Sequence, residues 1–162
     1  MRSESSRDHR ATDLTQPIAR LKWEHVWLLD EFGSLALSAN RGIDNFADFV
    51  EKMAIIMKFL ERHQEAEERF LFPLVAGLGD GLFKGLRKDH LKFLLASDSL
   101  VSSLESGTQK SLAESIEEFR IHLETHFTRE ESAIFEISAD LLSPAQMDIL
   151  RIKFASREAP EI

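Results

Sequence analysis

Apolar residues along this chain recur at alternating steps of three and four, the pattern of helices that each bury one face. The first stripe runs Leu14, Ile18, Leu21, His25, Leu28, Phe32, Leu35 and Ala39, and Arg41-Gly42 closes it. Asp44 is the expected N-cap of a second helix, whose stripe is Phe46, Phe49, Met53, Ile56, Leu60, His63, Glu67, Phe70 and Leu74. Pro73, Gly77, Gly79 and Gly81 interrupt that pattern, and Asp80 offers a cap for a third helix. The third stripe is Phe83, Leu86, His90, Leu94 with Phe93 beside it, Ser97, Val101 and Leu104, ending at Ser106-Gly107-Thr108. A fourth follows with Leu112, Ile116, Phe119, Leu123, His126, Glu130, Ala133 and Ile137. Ser143-Pro144 then supplies a cap and a first helical residue for a short fifth helix reaching about Arg157.

No segment alternates apolar and polar residues with the period of a strand, so the chain is expected to be all-α. Four long amphipathic helices joined by short connections predict an up-down-up-down antiparallel four-helix bundle over residues 13–140. Residues 141–162 are expected to form a short accessory helix and tail. Residues 1–12 are polar, include His9, and read as a flexible N-terminal tail. A length of 162 residues suits one domain with a sizeable core.

Each long stripe carries one histidine where an aliphatic residue is expected: His25, His63, His90 and His126. A lone histidine on an apolar face is ordinarily a hydrogen-bonded core residue. Four of them, one per helix and each near the middle of its stripe, fall at a similar height in a bundle. Two carboxylates join them. His63 to Phe72 and His126 to Phe135 both read His-x-x-x-Glu-Glu-x-x-x-Phe, which places His63 with Glu67, and His126 with Glu130, on one helical face. Glu24-His25 and Asp89-His90 match as well, so the chain reads as a duplicated helical hairpin. An unpaired buried carboxylate costs several kcal/mol, and two facing one another cost more. No Lys or Arg stands in the stripes at that level, whereas bound cations would offset the charge. His122, one turn before His126, is a candidate further ligand, an outer hydrogen-bond partner or a partly exposed residue. Glu65, Glu68 and Glu131 read as solvated flanks.

Composition narrows the chemistry. The absence of cysteine excludes disulfides, thiolate zinc sites and cysteine-ligated clusters, so any metal must use His and carboxylates. Four His and two Glu suit zinc, manganese or iron, and six inward donors exceed the need of one tetrahedral zinc. Two octahedral ions fit better. A net charge of −8 disfavours nucleic acid and anionic membranes as partners. The N-terminal residues lack the apolar segment of a secretory signal, and no apolar run is long enough to span a bilayer. The expected location is the cytoplasm.

The order and spacing of His25, His63, Glu67, His90, His126 and Glu130, with Leu71-Phe72-Pro73 ending the second helix, resemble the hemerythrin-like proteins of the HHE cation-binding type. The resemblance covers His25 to about Phe135. It implies these six residues as ligands of two iron ions, oxo- or hydroxo-bridged. His25 and His63 would serve one ion, His90 and His126 the other, and Glu67 and Glu130 would bridge. Oxygen-carrying hemerythrins have His-x-x-x-His on the third helix, whereas this chain has Leu94 at the second position. Its shorter ligand set is similar to that of iron-sensing and iron–sulfur-repair members. The resemblance therefore implies a di-iron protein that binds or senses O2, NO or iron itself. The alternative is a redox or iron-delivery protein acting on nitric oxide or peroxide, or in cluster repair. Whether it is an enzyme, and which protein partner it meets, stay open.

Overall fold

The computed structural model describes residues 16–106 and 109–156, and among these there is no strand. The described residues form an all-helical fold. Helix α1 spans Pro17–Arg41, α2 Phe46–Ala66, α3 Asp80–Ser106 and α4 Gln109–Glu130. The short α5 spans Glu136–Leu141, and α6 spans Pro144–Ala155. Helix α1 packs on α2 and α4, and α3 packs on α2 and α4, so the four long helices enclose a common interior. The expected tail of residues 1–12 with His9, Leu14 of the first stripe, Gly107-Thr108, and the expected helix end at Arg157 with the residues after it lie outside the described residues.

Local sequence accounts for most element ends. Gly42 closes α1 with φ of +110°, and Gly79 precedes α3 with φ of +113°, a region that residues with a Cβ rarely enter. The cap of α2 is Asn45 rather than the expected Asp44: its side chain accepts from the N–H groups of Ala47 and Asp48. Asp80 lies in the first turn of α3 itself, where a negative charge still favours the positive end of the helix. Ser143 caps α6 as expected, in a reciprocal capping box with Gln146, and Pro144 takes the first helical position.

The interior is two apolar clusters with a polar layer between them. One cluster holds Leu28, Phe32, Ile56, Leu60, Phe93, Leu123 and Phe127 among others. The second holds Leu21, Ala66, Leu71, Phe72, Leu86, Ile134 and Phe135, and α6 adds Leu150 and Phe154 to it. On α1, for example, Leu21 belongs to one cluster and Leu28 to the other, and His25 stands between. His63, His90 and His126 occupy the same level on α2, α3 and α4. Helix α6 is therefore part of the packed end of the molecule, and Arg20 fastens it by donating to the Phe154 carbonyl at 2.6 Å.

The 3.6-residue period fails at one equivalent place in each half. Glu67–Leu71 and Glu131–Phe135 are π turns, closed by i→i+5 bonds from Phe72 to the Glu67 carbonyl and from Glu136 to the Glu131 carbonyl. A π turn inserts about one residue, so the buried face slips by one position. The stripe expected at Phe70 and Leu74 is realised at Leu71, Phe72 and Val75, and that expected at Ala133 and Ile137 at Ile134, Phe135 and Ser138. On α3 the inner row is Leu86, His90, Phe93 and Leu100, and the expected Leu94 and Val101 face outward.

Candidate metal centre

His25, His63, Glu67, His90, His126 and Glu130 converge in the polar layer, all buried. They form two groups that share a carboxylate: His25, His63, Glu67 and Glu130, and His90, His126 and Glu130, with the ligating atoms of each group within 4.8 Å of one another. The distances give each carboxylate a double role. Glu67 Oε1 lies 3.2 Å from His63 Nε2 and 3.7 Å from His25 Nε2, while its Oε2 lies 3.6 Å from His90 Nε2. Glu130 Oε1 lies 3.2 Å from His126 Nε2 and 3.4 Å from His90 Nε2, while its Oε2 lies 3.5 Å from His25 Nε2. Each carboxylate thus presents one oxygen to each pair of histidines.

All four imidazoles turn Nε2 inward and Nδ1 outward, and each Nδ1 faces an acid. His63 Nδ1 donates to Glu24 at 2.8 Å, His25 Nδ1 to Glu131 at 2.8 Å, and His90 Nδ1 to Glu68 at 2.7 Å. His126 Nδ1 faces Asp89 at 3.5 Å, beyond a formed hydrogen bond. An Nδ1–H held by a carboxylate fixes the ring and its tautomer and leaves the Nε2 lone pair free to ligate. These acids explain the repeated sequence. The acid before the first histidine of each half faces the second histidine of that half, bonded in the first half and at longer range in the second. The second Glu of each motif crosses to the other half, and the Phe at its end stacks there too: Phe135 on His25, with centroids 5.2 Å apart, and Phe72 on His90, at 6.0 Å. Phe127 adds a closer stack on His25, at 3.8 Å.

Sequence reasoning passed over this outer ring. Glu68 and Glu131, read as solvated flanks, keep 35% and 37% of their side-chain surface exposed yet anchor a histidine each. The available signal was the duplication itself, since Glu24 and Asp89, like Glu68 and Glu131, stand at matching positions of the two halves. Glu65 is exposed and pairs with Arg69, as a flank residue should. His122 is exposed and belongs to neither group. Leu94 is 50% exposed, so a histidine there would face away from the centre. The inward neighbours of His90 on α3 are Leu86 and Phe93, both apolar, and α3 offers no second imidazole.

Burial and close opposite charges shift the ionisation of the cluster. Burial pushes the His63 imidazole down, but Glu67 and Glu24 outweigh it and its pKa stands at about 10. His90 is likewise lowered by burial and then raised beyond its ordinary value by Glu130, Glu67 and Glu68. Burial pushes Glu67 up, yet His63 and His25 hold it well below the usual carboxylate range. Glu130 is pushed up by burial and by Glu67, and His126 and His90 bring it below its ordinary value. Protons and metal ions compete for such donors.

The donor set fits cations on geometry as well. His25 Nε2, His63 Nε2 and all four carboxylate oxygens of Glu67 and Glu130 are buried with no hydrogen-bond partner. Buried polar atoms are normally satisfied, and an orphaned carboxylate is among the costliest exceptions. A cation accepts lone pairs from all of them at once. His90 Nε2 and His126 Nε2 stand 3.0 Å apart, close to the spacing of neighbouring donors around an ion held by bonds of about 2.1 Å.

No curated protein and no solved structure gave a significant match to this chain. The family model of the hemerythrin HHE cation-binding domain matches residues 16–138, which include every helix that contributes to the centre. On that match, and with its buried His/Glu cluster, the chain belongs to the hemerythrin HHE cation-binding family.

Proposed function

We propose that this protein is a non-haem di-iron protein that binds or senses a small diatomic ligand, O2 or NO, within an antiparallel up-down-up-down bundle. The observation that carries the reading is the double-facing pair of carboxylates: Glu67 and Glu130 each offer one oxygen to each histidine pair. One ion would be held by His25 and His63, a second by His90 and His126, with the carboxylates shared. Two ions rather than one account for six buried donors and for carboxylates engaged at both oxygens.

Bound iron would supply open coordination positions and one-electron redox chemistry. The chain's own residues do the rest. Glu24, Glu131 and Glu68 hold three Nδ1–H groups and so keep three Nε2 lone pairs aimed inward. Phe127, Phe135, Phe72 and Phe93 pack on the imidazoles and give them apolar surroundings, which suit a small uncharged diatomic molecule.

Metal analysis of the purified protein, followed by anaerobic loading with ferrous iron, tests the reading. About two irons per chain are expected, and failure to retain iron overturns the proposal. Subsequent exposure to O2 or NO separates the roles. A stable charge-transfer band marks reversible carriage, and rapid irreversible oxidation marks sensing or the redox alternative.

A further inference from the structure

A groove in the surface reaches the centre at His126. Between α3 and α4 lies a groove of about 630 Å³ whose walls include Phe93, Ala96, Phe119 and Thr125 and whose inner end is His126 with Asp89. Of the six inward donors, His126 is the one that lines it. Its ring stands between groove and centre, with Nε2 turned to Glu130 and Nδ1 on the side of Asp89.

That ring is also the one whose Nδ1 the fold leaves unbonded. The other three imidazoles are fixed by Nδ1 hydrogen bonds of 2.7–2.8 Å. His126 Nδ1 is buried without a hydrogen-bond partner, 3.5 Å from Asp89. The cause is legible in the covalent structure. Where the first half uses Glu24 to reach His63, the second half uses Asp89, which is one methylene shorter. Asp89 is also drawn to the surface: its carboxylate accepts from Arg129 and, at 3.2 Å, from Lys92, and it keeps 20% of its side chain exposed. Glu24, by contrast, is fully buried.

We propose that the α3–α4 groove is the route by which a divalent cation enters and leaves the centre, with His126 as its gate and Asp89 as the residue that sets how firmly the gate is held. The inference rests on the metal-binding reading above and adds an inequality to it: the His90/His126 position exchanges, and the His25/His63 position retains. Asp89 acts on the metal through His126 and is a positioning residue. A cation in the groove passes the Glu118 and Asp89 carboxylates, the latter shared with Arg129 and Lys92, and the His126 ring can turn aside without breaking a hydrogen bond at Nδ1.

The test is metal release from the full-length protein loaded anaerobically with ferrous iron, after confirming about two irons per chain, into an excess of a chromogenic ferrous chelator. The wild type is expected to release iron in two phases of comparable amplitude. Asp89→Glu supplies the missing methylene, and its fast phase is expected to slow about tenfold or more while the slow phase holds. Thr125→Trp, an exposed position on the groove wall, is expected to slow the fast phase with no change in stoichiometry, and Ala96→Trp is a second plug from the opposite wall. The mirror change Glu24→Asp is expected to quicken the slow phase. A single release phase in the wild type, or a fast phase indifferent to Asp89→Glu and to both plugs, overturns the groove and the gate while leaving the metal site standing. Failure of the wild type to hold iron overturns the site itself, and the inference with it.

Discussion

The two halves of the centre carry the same motif and differ in what surrounds it. In the first half His63 is bonded to a fully buried Glu24, which also accepts from Arg20 at 3.1 Å. In the second, His126 faces a shorter, partly exposed Asp89 across a longer gap, beside a groove. The residue after each motif histidine differs too. Phe127 stacks on His25, whereas its counterpart Gln64 is buried with an unpartnered side-chain nitrogen. The sequence repeat keeps the buried His and Glu residues of the cluster. It did not preserve their supports, and there the halves are free to take different tasks.

The largest expected effect removes what the halves share. Glu67→Ala and Glu130→Ala each delete a carboxylate that faces both histidine pairs, so each should cut iron loading below two per chain, read by metal analysis. If both variants load two irons, the ligand assignment fails.

Acidity comes next. The His63 pKa is raised from 6.5 to about 10, so in metal-free protein its pairing with Glu67 and Glu24 contributes stability that is complete below pH 6.5 and lost as pH rises through 10. Glu67 is depressed, so its contribution is present above about pH 4.5 and is lost as pH falls through the lower folded value. Urea midpoints of the metal-free protein should therefore peak between these limits and decline toward pH 10. Metal affinity should move the opposite way over the alkaline half, since rising pH frees the imidazoles.

Packing gives the third contrast. Phe127→Ala should cost about 3–5 kcal/mol by opening a cavity against His25, while Gln64→Ala should cost far less, both read by chemical denaturation. The outer acids give the smallest. Glu24→Ala leaves the His63 Nδ1–H buried without an acceptor and should cost about 1–3 kcal/mol, whereas Asp89→Ala, whose histidine is already unbonded, should cost less than about 1 kcal/mol. Equal costs would erase the asymmetry between the halves.

Much of this molecule was legible along the chain. Amphipathic periodicity is a local property, so the long helices and most of their buried rows followed from it. An i, i+4 pair lies on one face of one helix whatever surrounds it, so His63 with Glu67 and His126 with Glu130 were fixed as inward pairs. Their repetition, with His25 and His90, marked the family. The π turns were not legible, because the inserted residue leaves no compositional trace. They moved the buried row from Phe70 to Leu71 and Phe72, and from Ala133 to Ile134 and Phe135.

What the sequence by itself determined was the set of helices, the six buried His and Glu residues of the cluster and the repeat that relates them. Only the tertiary structure decided which oxygen of Glu67 and Glu130 faces which pair, that Glu131 serves His25 and Glu68 serves His90, and that Leu94 turns outward. The reason is physical. Glu131 and His25 lie 106 residues apart and touch through the packing of separate helices, which sets distances to a fraction of an ångström. A helical period fixes direction to within a face. The difference between 2.8 Å at Glu24 and 3.5 Å at Asp89 lies below that resolution, and it divides a histidine held at Nδ1 from one that is not.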